Sequence, residues 1–356
     1  MSVASESPSR LRVAVIEGGP SSEAGVSRAS AAAVHQALIE AGHEVTRFEL
    51  DGRIFSALSP AKFDVVLPAV HGAVGEDGCL QGVLEVLGLA YVGSDVKASA
   101  VAMDKVLARR LFGLAELPVA RGIALSRGEG RTPLAAAELA RSTVGAGVVI
   151  KPSESGSAVG VSRLEANAPL EHVAAAIEGV WELGNVALVE HFARGREITC
   201  GVLDLEGEEA YALPPTEILA PNDAFYNFEA RYAPGRSVHV CPAKLGDELT
   251  RRVQDFALRA HRVLGCRDLS RVDFIVGDEG DTDPSSASNS SNSGNSSIVL
   301  EVNTLPGFTS TSLYPEAAAV AGLSFPRLCD ALVRSAHRRG PTRRNIPLAF
   351  PGAAAG

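Results

Sequence analysis

Near the C-terminal end, "LEVNTLPGFTSTS" (Leu300 to Ser312) sets a carboxylate, Glu301, and a carboxamide, Asn303, two residues apart. In an extended chain such a pair leaves one face of the strand, so both oxygens point the same way. Upstream, "SRVDFIV" carries a third oxygen donor, Asp273, within an apolar run of strand character. A donor set of oxygens alone, without thiolate or imidazole, selects a hard cation such as Mg²⁺, whose octahedral shell two adjacent strands can fix. Two more patterns bear on the same chemistry. "VVIKPSESGSAVG" ends an apolar strand at Lys151 and runs into a loop holding Gly156, Ser157 and Gly160. Glycines let backbone N–H groups approach phosphate oxygens, and the lysine supplies a mobile cation for them. Because the lysine precedes the glycines, this is not a Walker A loop. "ALVEHFARGREITCG" places Glu190 after an apolar strand and Glu197 seven residues later, at the start of the next. There one carboxylate can accept from an adenine amino group and the other can hold ribose hydroxyls. Taken singly, each pattern is more often structural or merely solvated; their order along the chain is what informs.

The elements that must position these groups alternate. "LRVAVIEGG" reads as a strand, "SRASAAAVHQALIEAG" as a helix, "HEVTRFEL" as a second strand and "FDVVLPAV", ending at His71, as a third. A helical stretch to Leu87 and a short strand, "LAYVGS", follow. Such alternation predicts a parallel sheet covered on both faces. A helix begins at Lys105 and ends before Pro118; Val148 to Lys151 and Ala187 to Glu190 read as buried strands around a helix at "LEHVAAAIEGVWEL". Beyond them lie a polar loop, "APNDAFYNFEARYAPGR", a helix from Asp247 to Leu264, and the two strands bearing Asp273 and Glu301. Between those strands, Gly280 to Ser297 has almost no apolar residue, cannot offset its ordering entropy, and is expected to be a disordered hairpin insertion.

Composition narrows the class. The chain has 356 residues, 46% hydrophobic, enough for two or three cores. A formal charge of −9 gives no basic footprint, so nucleic acid is not an expected partner; the one basic stretch, "RSAHRRGPTRR", reads as a solvated tail. Five widely spaced cysteines without a CxxC pair point to reduced thiols. No segment resembles a signal peptide and no run reaches the roughly 18 apolar residues of a membrane span, so a soluble cytoplasmic protein is expected.

"HGAVGEDGCLQG", "YVGSDVKASAVAMDK", "IKPSESGSAVG", "VEHFARGREITCGV", "FYNFEARY", "RVDF" and "LEVNTLPGFTSTSLYP" occur in the order and spacing of the D-alanine:D-alanine ligases, members of the ATP-grasp superfamily. The resemblance runs from about residue 11 to 337. It implies an α/β chain with the ATP-grasp fold behind an N-terminal Rossmann-like domain: residues 1–104, a small lid domain at 105–196 and a large C-terminal domain at 197–346. It also implies ATP clamped between the second and third domains. Lys105, Lys151 and Gly156 would contact its phosphates, Glu190 the adenine and Glu197 the ribose. Asp273, Glu301 and Asn303 would hold two Mg²⁺ (or Mn²⁺) ions. Glu23 would bind the ammonium of the first D-alanine, with His71 beside its carboxylate. Arg271 and the Gly307 N–H would cradle the reacting carboxyl, and Ser312, with Leu313, the carboxylate of the second D-alanine. Tyr232, on a closing lid, would link Ser157 and Glu23. A homodimer is implied as well. Departures from the family pattern are Ala24 and Gly25 after "GGPSSE", Ala158 in the glycine-rich loop, and Arg231, expected to bind substrate, in the lid where a lysine is usual; all fall around the amino-acid subsites and the lid. These leave open a sister ligase that takes D-serine or D-lactate, an antibiotic-pathway or other ATP-grasp relative, and a non-catalytic nucleotide-binding paralogue.

Overall fold

The computed structural model describes residues 10–219, 237–277 and 297–342. Arg231, Tyr232 and all of the Ser/Asn-rich insertion except Ser297 lie outside the described residues; Ser297 itself is buried and opens a strand.

The chain opens with β1 (Arg12–Glu17), α1 (Ala24–Glu40), β2 (Glu44–Glu49), α2 (Ile54–Ala57), β3 (Val65–Pro68) and α3 (Cys79–Leu87). The strands form a parallel sheet in the order β2-β1-β3. Alternation along β1 covers both faces: Val13 and Val15 pack with α1, while Ala14 and Ile16 pack with Leu80 and Leu84 of α3. "LAYVGS" departs from expectation. It makes only a single bridge, Val66 to Tyr91, because Gly93 turns the chain at φ 100° two residues on.

Two helices stand where one was expected. Asp95 caps α4 (Val96–Met103), and Asp104 then caps α5 (Lys105–Leu114) by accepting from the N–H groups of Val106 and Leu107. The second cap fixes Lys105 at the first position of α5. Next come β4 (Gly122–Ser126), α6 (Pro133–Val144), β5 (Val148–Pro152), β6 (Ser162–Leu164), α7 (Leu170–Leu183) and β7 (Val186–His191). The antiparallel sheet β4-β7-β5-β6 buries Val148, Ile150, Ala187 and Val189 against α6 and α7. Its other face carries Val149, Lys151 and Glu190.

The remainder comprises β8 (Arg196–Asp204), β9 (Tyr211–Ala212), β10 (Thr216–Leu219), β11 (Val238–Val240), α8 (Asp247–Leu264), β12 (Asp268–Val276), β13 (Ser297–Asn303), α9 (Leu313–Val320) and α10 (Phe325–Arg339). The sheet order is β11-β10-β8-β12-β13, with β9 on β8. Ile198, Cys200, Val202, Val272, Phe274 and Val276 pack on one face with α8 and with Phe112 of α5, which leaves Glu197, Thr199, Arg271 and Asp273 on the other. On β13, Asp273 pairs with Glu301 but Phe274 pairs with Val299, so Leu300 is a bulge. The bulge resets the alternation: Val299 and Val302, three apart, share the core, while Leu300 and Glu301 both face a cleft.

The described part of the basic stretch, residues 334–342, is not a solvated tail. It continues α10, whose Leu332, Val333 and Ala336 are fully buried, and Arg339 makes a two-pronged ion pair with Asp268, itself 0% exposed. Asp268 also accepts from the Gly93 N–H and the Ser335 hydroxyl, so a buried carboxylate is fully satisfied where the first sheet, the large sheet and α10 meet. All five cysteines are unpaired; burial pushes the Cys266 thiol up to about 12 and those of Cys200 and Cys329 well above their ordinary value.

Candidate functional site

Two clefts lie side by side. The first opens between the exposed face of the β5–β7 sheet and the cleft face of β8, β12 and β13. Its walls are mostly apolar, from Val149, Val161, Phe192, Ile275, Ile298 and Leu300, and its charges come from Lys105, Lys151, Arg163, Glu190, Glu197 and Glu301. These charges are matched. Lys151 Nζ lies 2.7 Å from Glu190 Oε2, and Arg109 Nε lies 3.2 Å from Oε1 of the same carboxylate. Lys105 Nζ donates to the Ser155 carbonyl at 2.6 Å and lies 3.2 Å from Glu301 Oε2. Arg163 stacks on the Phe192 ring, 3.8 Å from its centroid, at one wall. An apolar slot edged by two lysine–carboxylate pairs suits a flat base, a sugar and a polyphosphate.

The second cleft is polar and built from loops. It brings together Glu23 at the start of α1, His71 after β3, Gly156 and Ser157 of the glycine-rich loop, Arg271 on β12, Asn303 on β13, and Gly307, Ser312 and Leu313 before and at α9. The Ser157 hydroxyl donates to Glu23, tying the loop to α1 across a long sequence distance. Ser157 and Ala158 both take left-handed backbone angles, φ 51° and 57°, which is the strained turn that presents Ser157. Gly72 takes φ 74°, a left-handed angle that favours glycine, and a Cβ there would displace the Glu23 carboxylate. His71 is held by Ser30, its Nε2 3.1 Å from the hydroxyl, and faces Glu76 at 3.7 Å.

Arg271 grips Asp273 through Nε and Nη2, both at 2.9 Å. Thr199 donates to the same carboxylate at 2.7 Å and the Asn303 amide at 3.1 Å. Asp273 therefore has its acceptor positions filled, and it joins a metal shell only when Arg271 or Asn303 yields. Among the described residues no three His, Cys, Asp or Glu side chains converge as a metal site. The set here is two carboxylates and an amide. Glu301 and Asn303 open on the gap joining the two clefts, which Lys105, Gly156 and Glu76 also line. Hard oxygens at a gap flanked by a lysine fit Mg²⁺ carried on phosphate.

Of the residues singled out from sequence, the first cleft holds Lys105, Lys151, Glu190, Glu197 and Glu301, and the second holds Glu23, His71, Gly156, Ser157, Arg271, Asn303, Gly307, Ser312 and Leu313. Asp273 lines neither and supports both through Arg271 and Asn303. Ala158, expected among the amino-acid subsites, lines the first cleft instead, because the left-handed turn sends it away from Ser157. Sequence reading missed Arg109, Arg163, Ser30, Glu76, Thr199, His239 and Glu316. Only Arg109 had a local signal, lying one helical turn from Lys105 on α5.

Comparison with known proteins points to one family. Residues 111–334 match the profile described as D-ala D-ala ligase C-terminus, and residues 52–94 the D-ala D-ala ligase N-terminus. The chain is 45% identical to the D-alanine–D-alanine ligase of Gluconobacter oxydans, over 92% of this chain and 100% of that one. It is 40% identical to the same-named protein of Geotalea uraniireducens, over 91% and 95% of the two chains. Among solved structures, the Bacillus anthracis D-alanine–D-alanine ligase complexed with ATP superposes with a TM-score of 0.73 at 27% identity, over 92% of this chain and 98% of that one. The Coxiella burnetii D-alanine–D-alanine ligase gives 0.74 at 27% identity, over 93% and 95%.

Proposed function

The chain belongs to the D-alanine–D-alanine ligase family, with the ATP-grasp fold of its structural neighbours, and from that premise we propose how its residues divide the ATP-dependent joining of two D-alanines for peptidoglycan synthesis. The observation that carries the reading is the gap between the clefts, where Lys105, Gly156, Glu301 and Asn303 face the meeting point of a nucleotide slot and an amino-acid slot.

The carboxylate of the first D-alanine is a poor electrophile until phosphorylated. ATP in the first cleft would direct its γ-phosphoryl group into the gap, with Lys105 and Lys151 balancing its charge, Glu190 at the adenine and Glu197 at the ribose. Two Mg²⁺ or Mn²⁺ ions, held by Asp273, Glu301 and Asn303, would supply further charge neutralisation when bound. Glu23 would hold the first ammonium, and His71 would sit by the carboxylate that attacks phosphorus. The second D-alanine, its carboxylate at Ser312 and Leu313, then attacks the acyl phosphate through its amine. Arg271, freed from Asp273, and the Gly307 N–H would stabilise the oxyanion before phosphate leaves. Arg231 and Tyr232 would close over the site and exclude water. The three-domain division at about 104 and 196, a homodimer and a cytoplasmic location belong to the same reading. It is supported by the resemblance; among the described residues no helix is long and apolar enough to cross a membrane. The formal charge of −9 favours small-molecule substrates over nucleic acid.

The test is phosphate release with ATP plus D-alanine but not with ATP alone, together with D-alanyl-D-alanine as the product by mass spectrometry. Phosphate release independent of D-alanine, or a different product, would overturn the reading.

A further inference from the structure

His239 on β11 lines the amino-acid cleft beside Thr309, Thr311, Ser312 and Leu313, and its Nδ1 lies 3.0 Å from Glu316 Oε2. Glu316 sits in the first turn of α9 and its N–H bonds the Ser312 carbonyl, so the His–Glu pair and the start of the helix form one local unit. Neither residue belongs to a motif, and β11 is the edge of the large sheet. The pair is partly open: the side chains are 22% and 36% exposed.

We propose that His239, oriented by Glu316, binds the carboxylate of the second substrate and so selects an α-amino acid as the acceptor. The inference rests on the functional reading above and deepens it. An imidazolium donates from both ring nitrogens. In that protonated form, with Nδ1 committed to Glu316, Nε2 is the donor left for the cleft, and the helix start beside it already favours negative charge. Ser312 is poorly placed to hold a carboxylate by itself: its hydroxyl is within 2.8 Å of the Thr309 hydroxyl and accepts from the Thr309 N–H. A ring N–H of His239, which lines the same cleft, adds a donor there. Elsewhere among the described residues of the cleft the charged and titratable groups are Arg271, Glu23, Glu76 and His71; Arg231, expected over the site, lies outside the described residues. Arg271 is tied to Asp273 or to the reacting carboxyl, and the two glutamates repel a carboxylate. On the neighbouring β10, the residue in register with His239 is the uncharged Ile218. Glu316 is a positioning residue, since it acts through the imidazole.

The experiment offers full-length protein, ATP and D-alanine an equal concentration of D-alaninamide, an acceptor with the same amine and methyl but no carboxylate. The dipeptide and the dipeptide amide are then counted by mass spectrometry. His239→Ala is expected to lower the acid-to-amide ratio by roughly ten- to a hundredfold, the size of a lost charge-assisted hydrogen bond. His239→Gln, which retains one neutral donor, and Glu316→Gln, which loosens the imidazole, are expected to lower it less. Amide product is itself expected to change little in all three. A ratio unchanged in His239→Ala, or equal losses of both products, would overturn the inference, because a purely structural role lowers both alike. Melting temperature separates folding loss from either outcome, and the Gln variants decide the matter if His239→Ala does not fold. Failure of the wild-type protein to make any dipeptide would overturn the functional reading and this inference with it.

Discussion

The nucleotide cleft and the amino-acid cleft share a boundary but are built on different principles. Strands of two sheets wall most of the first, so its side chains follow the period of two except at the Leu300 bulge, and its charges come pre-paired as Lys151–Glu190–Arg109 and Lys105–Glu301. The second is assembled from a helix start, three loops, the tips of β12 and β13 and the edge strand β11, tied together by hydroxyl and carboxylate hydrogen bonds such as Ser157 to Glu23. A strand-walled cleft is rigid without substrate. A loop-built one depends on a few cross-links, and single substitutions there should alter selectivity sooner than fold.

That contrast can be broken by substitutions that ought to affect one cleft and spare the other. The largest effect is expected at the shared wall. Arg271→Ala removes the oxyanion donor and should lower turnover by about 10²–10³-fold with ATP affinity nearly unchanged, as read by steady-state rates and nucleotide titration. A comparable loss of ATP affinity would mean that the two clefts are not separable at β12. Next, Lys151→Ala leaves Glu190 with Arg109 alone. Breaking a mostly buried pair should cost about 3 kcal/mol of stability, and ATP should bind roughly tenfold more weakly while the KM for D-alanine holds. Ser157→Ala should act in the opposite sense: one lost hydrogen bond of about 0.5–1.5 kcal/mol raises the D-alanine KM by roughly two- to tenfold and leaves ATP binding unaltered. The smallest change concerns residues 280–296, which lie outside the described structure. Replacing them with a two-residue Gly-Asn turn should leave both clefts within about twofold of wild type, since loop-closure cost grows only logarithmically.

The same contrast explains what could be read from sequence. Asp273 and Glu301 were legible as neighbours because each strand announces its face, and their cross-strand pairing is observed. The bulge at Leu300 was not legible, since no glycine or turn residue marks it; the core positions of Val299 and Val302 reveal it. α4 was not read as a helix: it is only eight residues long and stops at Asp104, where the helix that was read begins. The basic residues ending α10 looked solvated because nothing near them in sequence shows that a carboxylate, Asp268, waits buried for Arg339. His239 and Glu316 were invisible for a similar reason: they meet only when β11 and α9 pack, and neither sits at a spacing that signals a pair. Periodicity predicts faces, whereas loop-built sites depend on contacts that have no local period.

The central claim is that a phosphoryl group crosses the gap from the nucleotide cleft to a carboxylate in the amino-acid cleft. The direct measurement uses D-alanine labelled with ¹⁸O in both carboxylate oxygens. If the donor carboxylate takes up the phosphoryl group and is then displaced by the acceptor amine, one labelled oxygen must leave with phosphorus. Mass spectrometry of the released phosphate should then show a single ¹⁸O per phosphate, in step with the D-alanyl-D-alanine formed. Phosphate without label, produced alongside the dipeptide, would contradict the account.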